Sequence, residues 1–254
     1  MLAIKQLTVG KGQPLYQTVR DDILERVSAG EWAPGVALPS ESQLAKAYGV
    51  GISTVRAAVS QLVSADVLLR HQGKGTFVTA HNVENDIYRF FHVVQNDGQK
   101  LLPKSHLLSF EKCRTDSKTA DMLQLPHTNP EVFRIRNLLL VAGQPQVASN
   151  ICVPTTLLPG LSKAVIEANQ NTLYGLYQSR YGVMILKTHE KVWAKIPPAE
   201  ISKLLRVPKG EPLLAIHRIG YTFGGQPAEL RQSWVRTDVC HYEFSMGTSV
   251  EEQR

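Results

Sequence analysis

The sequence predicts an α+β protein with two domains: a small helical domain with a hairpin, then a larger domain built on an antiparallel sheet with helices. Two observations predict the first domain, namely a pair of short helix patterns around Gly49 and a glycine-rich hairpin pattern over 68–78. One observation predicts the second domain, a set of residues that recurs 82 positions later. At 254 residues and 43% hydrophobic composition, the chain can bury a core in each domain.

Two short helices are predicted on either side of Gly49. Ser40 and Gln43 have the spacing of a capping box, in which the hydroxyl and the amide side chain each accept a hydrogen bond from a backbone N–H group at the start of the helix. Gly49 supplies the left-handed residue that ends a helix at little cost. Apolar residues at helical spacing mark the buried faces: Leu44, Ala45 and Tyr48, then Val55, Ala58, Val59 and Leu62. Together these features predict a helix-turn-helix.

A hairpin is predicted after the second helix. Residues 68–70 and 76–78 read as short strands and flank Gly73, Lys74 and Gly75. This arrangement places a lysine at the flexible tip of a two-stranded wing.

The start of the second helix carries side chains suited to a DNA groove. Ser53, Thr54 and Arg56 are two short polar groups and a guanidinium, which reach base edges and phosphates from a helix in the major groove. Charge alone does not predict DNA binding: the chain carries +6, but its first 80 residues hold eight basic against six acidic side chains. The order of the motifs therefore carries this prediction.

Five motifs follow one another in the first third of the chain: Pro14-Leu15-Tyr16, Pro34-Gly35, Leu38-Pro39-Ser40-Glu41, Thr54-Val55-Arg56 and Gly73-Lys74-Gly75-Thr76-Phe77-Val78. This region closely resembles the winged-helix domain of GntR-type bacterial transcription regulators. The resemblance implies that the second helix and the wing bind double-stranded operator DNA. The candidate contact residues are Ser40, Ser42, Ser53, Thr54, Arg56, Arg70, Gly73, Lys74, Gly75 and Thr76.

Three positions depart from the pattern of that family. Its members usually carry arginine at the position of Ser42, serine at Gly51 and arginine at Ile52. Because a bidentate arginine-to-guanine contact discriminates by roughly 1 to 3 kcal/mol, these departures predict a changed operator or a weaker sequence readout. Arg56 is then the best remaining base reader. Asp66 replaces a family glycine, and aspartate tolerates the left-handed conformation.

An internal repeat predicts the second domain. Each copy reads as a short helix ending near a proline, a strand, a Gly-Gln-Pro turn and a second strand. The recurring residues are Leu123, Pro126, Pro130, Arg136, Gly143, Gln144 and Pro145, which return as Leu205, Pro208, Pro212, Arg218, Gly225, Gln226 and Pro227. Two such units side by side predict one antiparallel sheet about a pseudo-twofold axis, with a cleft suited to a ligand.

Arg134 and Arg136 are candidates for binding an anion. Residues two apart on a strand share a face, so the two guanidiniums repel each other unless an anion lies between them. A carboxylate or phosphate of a ligand satisfies both through charge-assisted bonds. The alternative is that one or both are surface arginines, or that they pair with Glu131 or Glu229.

Several motifs occur in order through residues 87–247: Arg134-x-Arg136, Gly143-x-Pro145, Val153-Pro154, Tyr174 with Tyr181-Gly182, Pro227-Ala228-Glu229, and Arg236-x-Asp238 before Tyr242-x-Phe244. This region resembles the UTRA effector-binding domain of the HutC branch of GntR regulators, whose fold is related to chorismate lyase. The resemblance implies that the arginine pair holds the anionic end of a small metabolite. The candidate effector-binding residues are Phe90, His92, Arg134, Arg136, Ser149, Asn150, Glu229, Arg231 and Tyr242.

These predictions give a winged helix-turn-helix domain over 1–78, a linker over 79–86 and an effector domain over 87–247. Cys152 replaces a tyrosine that is frequent in the family, which bears on the polar part of the effector site. The expected function is that of a sequence-specific transcription regulator, a repressor, which acts as a homodimer on an inverted-repeat operator and responds to an anionic metabolite.

Two alternatives belong to other classes. The likeness to a lyase fold makes an enzyme acting on a small carboxylic acid the main one, although no nucleophile-and-base set, metal-ligand spacing or phosphate-binding glycine loop occurs, so no catalytic residue, metal or cofactor is predicted. A nonspecific DNA-associated structural protein is the other, and it predicts equal affinity for all duplexes. Without a long apolar run or a signal-peptide core, the chain is expected to be a soluble, cytoplasmic protein.

Overall fold

The two helices around Gly49 begin and end where caps and apolar spacing predict, and another helix precedes them. The computed structural model describes residues 14–80, 92–96, 103–169 and 172–244. Helix α1 spans Leu15–Ser28, α2 spans Glu41–Tyr48 and α3 spans Ile52–Ser64. The capping box is confirmed, because Ser40 Oγ accepts from the Gln43 amide at 3.3 Å and Gln43 Oε1 accepts from the Ser40 amide at 2.9 Å. Gly49 ends α2 with φ at 66°.

The predicted wing is also confirmed. Strands β1, Leu68–His71, and β2, Gly75–Val78, pair antiparallel, and Gly75 has a φ of 115° that requires glycine. Asp66 lies in the left-handed region with φ at 55°, as expected for a residue that replaces a family glycine. One core holds the wing to the helices, and it contains Val19, Ile23, Leu44, Val55, Val59, Leu62, Leu68 and Val78.

The second domain contains a six-stranded antiparallel sheet. Its strands are β4 (Lys104–Arg114), β5 (Glu131–Val141), β6 (Gln144–Pro154), β7 (Lys187–Lys195), β8 (Leu213–Tyr221) and β9 (Pro227–Val235), in the order β4-β5-β6-β9-β8-β7. Its helices are α4 (Ser117–Met122), α5 (Lys163–Glu167), α6 (Leu173–Tyr181) and α7 (Ala199–Leu205). Strands β3 (Val93–Gln95) and β10 (Cys240–Tyr242) form a separate two-stranded ribbon.

The internal repeat is a structural duplication. The units β4-α4-β5-β6 and β7-α7-β8-β9 have the same order, so each predicted unit gains a strand before its helix. Helices α4 and α7 begin 82 residues apart, at Ser117 and Ala199. Asn150 pairs with Gln232 where β6 meets β9, and these residues have the same separation. The pseudo-twofold axis therefore passes between Asn150 and Gln232.

The two hairpins of the duplication differ by one residue in register. Arg136 pairs with Asn150, whereas its counterpart Arg218 pairs with Arg231, which is the counterpart of Ser149. The first hairpin closes between Val141 and Gln144, but the second has a longer connection, from Tyr221 to Pro227. Since adjacent strand residues point to opposite faces, this shift turns Arg218 away from the face that carries Arg136.

Helices cover both faces of the sheet. Face A, on which Arg134 and Arg136 project, is packed by α4 around Cys152 and Leu230 and by α7 around Ala148. Face B, on which Ile135 and Ile151 project, is packed by the region of α5 and α6 and by the β3–β10 ribbon.

Candidate DNA-binding and effector sites

The exposed start of α3 carries three of the predicted DNA contacts. Val55, Ala58 and Val59 are buried against the rest of the head, which leaves Ser53 and Arg56 exposed. Thr54 is partly exposed. This side of α3 is therefore free to enter a major groove.

Glu41 joins the recognition helix to the wing, and sequence reasoning did not assign it a role. Its Oε2 lies 2.9 Å from Arg56 Nε and its Oε1 lies 2.9 Å from Arg70 Nη2. With Arg56 64% exposed and Arg70 45% exposed, these pairs add little to stability. They connect two predicted DNA contacts, one on α3 and one on β1, through the same carboxylate. The only sequence feature that could have pointed to Glu41 was its position directly after the cap residue Ser40 in the Leu38–Glu41 motif.

The remaining predicted DNA contacts lie near this pair of arginines in the head. Ser42 is exposed, and its hydroxyl lies 3.2 Å from the hydroxyl of the cap residue Ser40. Lys74 occupies the exposed tip of the wing between Gly73 and Gly75. Ile52 is 46% exposed, which presents an apolar side chain at a position where the family resemblance predicted arginine.

A polar row crosses face A between α4 and α7. Paired residues of antiparallel strands share a face, so the row follows from the register of all six strands. We call it the central row, and it consists of Ser109, Arg136, Asn150, Gln232, His217 and Lys191. The Asn150 Oδ1 atom is buried and has no hydrogen-bond partner among the described residues.

Arg134 and Arg136 have exposed carboxylates as partners. Arg134 Nη1 lies 2.9 Å from Glu111 Oε1 on β4, and Arg136 is paired with Glu200 on α7. The carboxylates are 54% and 65% exposed, whereas the arginine side chains are 30% and 35% exposed. Neither pairing proposed from the sequence occurs, because Glu131 pairs with Lys112 and Glu229 pairs with Arg231.

The other predicted effector residues that the structure describes lie on face B, apart from Asn150. Ser149 bonds Ser233 across the sheet at 2.8 Å, and His92 contacts the Tyr242 ring at 5.3 Å between centroids. The sequence prediction treated these residues and the arginine pair as one site, and the sheet lies between them. Phe90 is outside the described residues.

Glu229 is fully buried, and its carboxylate is saturated with donors. Tyr174 and Tyr177 each donate to it at 3.0 Å, and Arg231 binds it through Nε at 2.8 Å and Nη2 at 3.0 Å. Burial and the charge of Glu229 raise the pKa of both tyrosines, so they remain donors. Burial would lower the pKa of Arg231, but Glu229 raises it above its ordinary value. This set is internally satisfied and stabilises face B.

A second charged set on face B involves Arg218, which is paired with Glu190 on β7. Tyr242 also donates to Glu190, which ties the β3–β10 ribbon to the sheet. Burial and the hydrogen bond to Glu190 raise the pKa of Tyr242. Sequence reasoning identified Arg218 only as a repeat counterpart, and the distant Glu190 gave no local signal.

The two domains meet at α6. Gln178 Nε2 donates to the Thr79 carbonyl at 2.7 Å, and a Cβ at Gly182 would lie 2.3 Å from the Ser28 carbonyl oxygen. Met184 belongs to the core of the head. A cavity of about 610 Å³ beside this contact is lined by both domains, including Trp32.

Among the described residues, no group of His, Cys, Asp and Glu side chains has the arrangement of a metal site. In the same part of the chain, no helix is both long and apolar enough to span a membrane.

A winged helix-turn-helix joined to a duplicated sheet domain defines a class of protein, the two-domain transcription regulators that bind DNA and respond to a ligand. Comparison with known families matches residues 15–78 to the bacterial regulatory proteins of the gntR family and residues 98–241 to the UTRA domain. The chain belongs to the GntR family and carries a UTRA domain. It is therefore a transcription regulator and not an enzyme, as the sequence predicted.

Named relatives support this assignment. The mannosyl-D-glycerate transport/metabolism system repressor MngR of Escherichia coli is 28% identical over 235 residues, which cover 92% of this chain and 95% of MngR. The probable fructoselysine utilization operon transcriptional repressor of Escherichia coli is 27% identical, with 89% of this chain and 92% of that protein covered. A crystal structure of the ligand-binding domain of a regulator assigned to the GntR family, from Bordetella bronchiseptica, is 32% identical with a TM-score of 0.59, and the match covers 63% of this chain and 99% of that domain.

Proposed function

We propose that this chain is a repressor of the HutC branch that binds operator DNA through α3 and the wing and is released by a small anionic metabolite bound on face A. Arg134 and Arg136 carry the proposal. Their partners, Glu111 and Glu200, are more than half exposed, so an incoming carboxylate or phosphate can replace them. Solvent screens the pairs that are lost, whereas a ligand over the row gains partly buried contacts.

The names of relatives suggest the class of effector. MngR is named for a mannosyl-D-glycerate system, and the other Escherichia coli repressor is named for fructoselysine utilization. Both compounds combine a sugar-derived part with a carboxylate. A sugar acid or sugar phosphate suits the central row, because Arg134 and Arg136 bind the acid and Asn150 and Gln232 offer amides to hydroxyl groups.

The assembly proposed is a homodimer on an inverted-repeat operator. Two-fold symmetric operators require two heads, and each head presents one recognition helix. The linker over 79–86 would connect each head to its effector domain over 87–247, and the protein would act in the cytoplasm.

The test is to select operator DNA with the purified full-length protein and to measure its release by a panel of sugar phosphates and sugar acids. Arg136→Ala should leave operator binding without ligand within twofold of wild type and abolish release. Arg114→Ala is the matched control, because Arg114 is exposed and donates to the Thr128 carbonyl away from the central row. An Arg136→Ala protein that is released normally contradicts the effector site.

The same measurements test the predicted DNA contact of Arg56 separately. Arg56→Ala should reduce the ratio of operator to random-duplex affinity by about tenfold, which corresponds to one lost base contact. An unchanged ratio at fixed salt means that Arg56 does not read bases. Equal wild-type affinity for all duplexes would favour the structural DNA-associated protein instead.

A further inference from the structure

The two halves of the central row are equivalent in the duplication. Arg136 lies beside Asn150 in one half, which we call the Arg136 end, and His217 lies beside Gln232 in the other half, which we call the His217 end. Because the axis passes between Asn150 and Gln232, it carries the Arg136 position onto the His217 position. Under perfect symmetry an arginine would stand there, but the register shift has turned Arg218 to face B.

The helices repeat this equivalence with opposite charge. Glu200 on α7 pairs with Arg136, and the residue 82 positions earlier is Lys118 on α4. Lys118 therefore occupies on α4 the place that Glu200 occupies on α7, and its charge contributes to lowering the pKa of His217. An arginine paired with a carboxylate therefore occupies one end of the row, and a histidine and a lysine occupy the equivalent places at the other.

Positive charge at the His217 end has no counter-ion among the described residues. Lys195 lies with its Nζ 4.7 Å from the centroid of Trp193, and the Trp193 ring in turn contacts His217 at 4.9 Å between centroids. Lys191 pairs with His217 across β7 and β8 and completes the row. No carboxylate in the described part of the chain forms an ion pair with Lys118, Lys191 or Lys195.

The pKa of His217 reflects both its burial and the positive charge around it. Burial, followed by the charges of Lys195 and Lys118, lowers the pKa of His217 below its ordinary value. The neutral imidazole of the free protein both donates and accepts hydrogen bonds. An anion placed among these groups would favour the protonated ring, which is the opposite of the effect of the two lysines.

We propose that the central row binds a small molecule with an acidic group at each end, one at Arg134 and Arg136 and the second at Lys118, Lys195 and His217. The proposal rests on the effector site proposed above and adds a second anion subsite to it. Arg136 and His217 are three strand spacings apart, about 14 Å between Cα atoms, and side chains reaching inward from both ends shorten this gap to fit a chain of roughly six carbons. Asn150 and Gln232 then face the middle of the ligand.

Matched monoacids and diacids test the second subsite on the full-length protein. Calorimetric titration would compare D-gluconate with D-glucarate, and glucose 6-phosphate with glucose 1,6-bisphosphate. We expect the diacid of at least one pair to bind about tenfold more tightly than its monoacid. Equal affinity in both pairs, or no binding by either diacid, overturns the proposal.

Substitutions test whether Lys118 and His217 cause the tighter binding of the diacid. Lys118→Ala and His217→Ala should each remove most of the tenfold preference and leave monoacid affinity within twofold of wild type. Lys163→Ala, an exposed lysine paired with Glu167 on α5, is the control that should change nothing. Persistence of the preference in both variants overturns the subsite.

A second readout separates the subsite from a general effect on folding. The imidazole resonance of His217, assigned with His217→Gln, should move toward the protonated position with the diacid and stay in place with the monoacid. Arg136→Ala should weaken monoacid and diacid alike. If Arg136→Ala instead leaves all binding and operator release unchanged, the proposed effector site is wrong as well. If Arg136→Ala weakens binding but no diacid preference is found, only the second subsite is wrong.

Discussion

Individual charged residues in this protein differ most in how deeply they are buried. Glu229 and Arg231 form a pair on face B in which the carboxylate is fully buried. Glu111 and Arg134 form a similar pair on face A, but Glu111 is 54% exposed. Solvent screens the second pair, while loss of one partner of the first leaves a buried charge uncompensated. The same two residue types therefore form a buried pair at one site and a solvent-screened pair at the other.

Replacement of Glu229 by glutamine should be strongly destabilising. We expect Glu229→Gln to lower the free energy of unfolding by about 3 to 5 kcal/mol, because the Arg231 guanidinium loses its counter-charge. Urea unfolding followed by circular dichroism measures this loss.

Glu111→Gln is the matched control for that change and should cost less than about 1 kcal/mol. The double variant Glu229→Gln/Arg231→Met should recover part of the loss, because no buried charge is then unpaired. Similar costs for Glu229→Gln and Glu111→Gln would contradict the distinction between the two pairs.

Among the elements, those with local signals were predictable and those set by turns were not. The capping box at Ser40, Gly49 and the apolar spacing predicted α2 and α3, since each signal acts within one helical turn. The shared face of Arg134 and Arg136 followed from strand periodicity. The opposite face of Arg218 did not, because both hairpins contain Gly-Gln-Pro and only the longer second turn changes the register.

Partners distant along the chain were also beyond sequence reasoning. Arg134 lies 23 positions from Glu111, and Arg136 lies 64 positions from Glu200. Neither spacing carries a helical or strand period. Arg134 and Arg136 lie on a strand, as strand periodicity predicted, but the division of the predicted effector residues between two faces required the register of the whole sheet.

Helix α4, which borders the central row, depends on one capping carboxylate. Asp116 Oδ1 accepts from the Thr119 amide at 2.9 Å, and Oδ2 accepts from the Thr119 hydroxyl at 3.0 Å. The bond from the Thr119 amide is the main reason that the pKa of Asp116 lies below its ordinary value. The contribution of a carboxyl with a lowered pKa is complete above its unfolded value and is lost as the pH falls through the folded value.

Asp116→Ala should therefore cost about 1 kcal/mol of unfolding free energy at pH 7. The difference between wild type and Asp116→Ala should shrink as the pH falls below about 4, where the carboxyl becomes protonated. Urea unfolding at pH 7 and at acid pH tests both statements. Asp116→Asn keeps a capping oxygen but has no titrating group. The difference in unfolding free energy between wild type and Asp116→Asn should therefore also change only at acid pH.

At the scale of the whole molecule, α6 contacts both the sheet and the DNA-binding head. Tyr174 and Tyr177 on this helix bond Glu229 on β9, and Gln178 bonds the Thr79 carbonyl at the end of the head. On β9, Arg231 holds Glu229 on face B while its neighbour Gln232 belongs to the central row. Strand β9 therefore carries both the residues that anchor α6 and a residue of the central row.

A substitution at the contact between domains should change operator affinity. Gly182 has a φ of 67°, and an added Cβ would lie 2.3 Å from the Ser28 carbonyl oxygen, so Gly182→Ala must displace the head from α6. We expect operator affinity without ligand to change at least fivefold, within the usual range of coupling between sites. Fluorescence anisotropy with operator DNA measures the change.

Gly160→Ala is the matched control for backbone strain. Gly160 has a similar φ of 78°, but an added Cβ there would meet nothing within 4 Å. Its variant should share the loss of stability and keep wild-type operator affinity. If both variants bind operator alike, the contact at Ser28 does not transmit a signal.

The one-residue difference between the two hairpins has a consequence for how a ligand sits. A duplicated domain with identical halves would accept an elongated molecule equally well in either direction. Here one terminus of the row offers planar guanidiniums and the other offers ammonium groups with an imidazole. A molecule whose ends differ, such as a phosphate at one and a carboxylate at the other, should bind across the sheet in a single orientation. The longer turn of the second hairpin therefore makes a duplicated domain asymmetric toward its ligand.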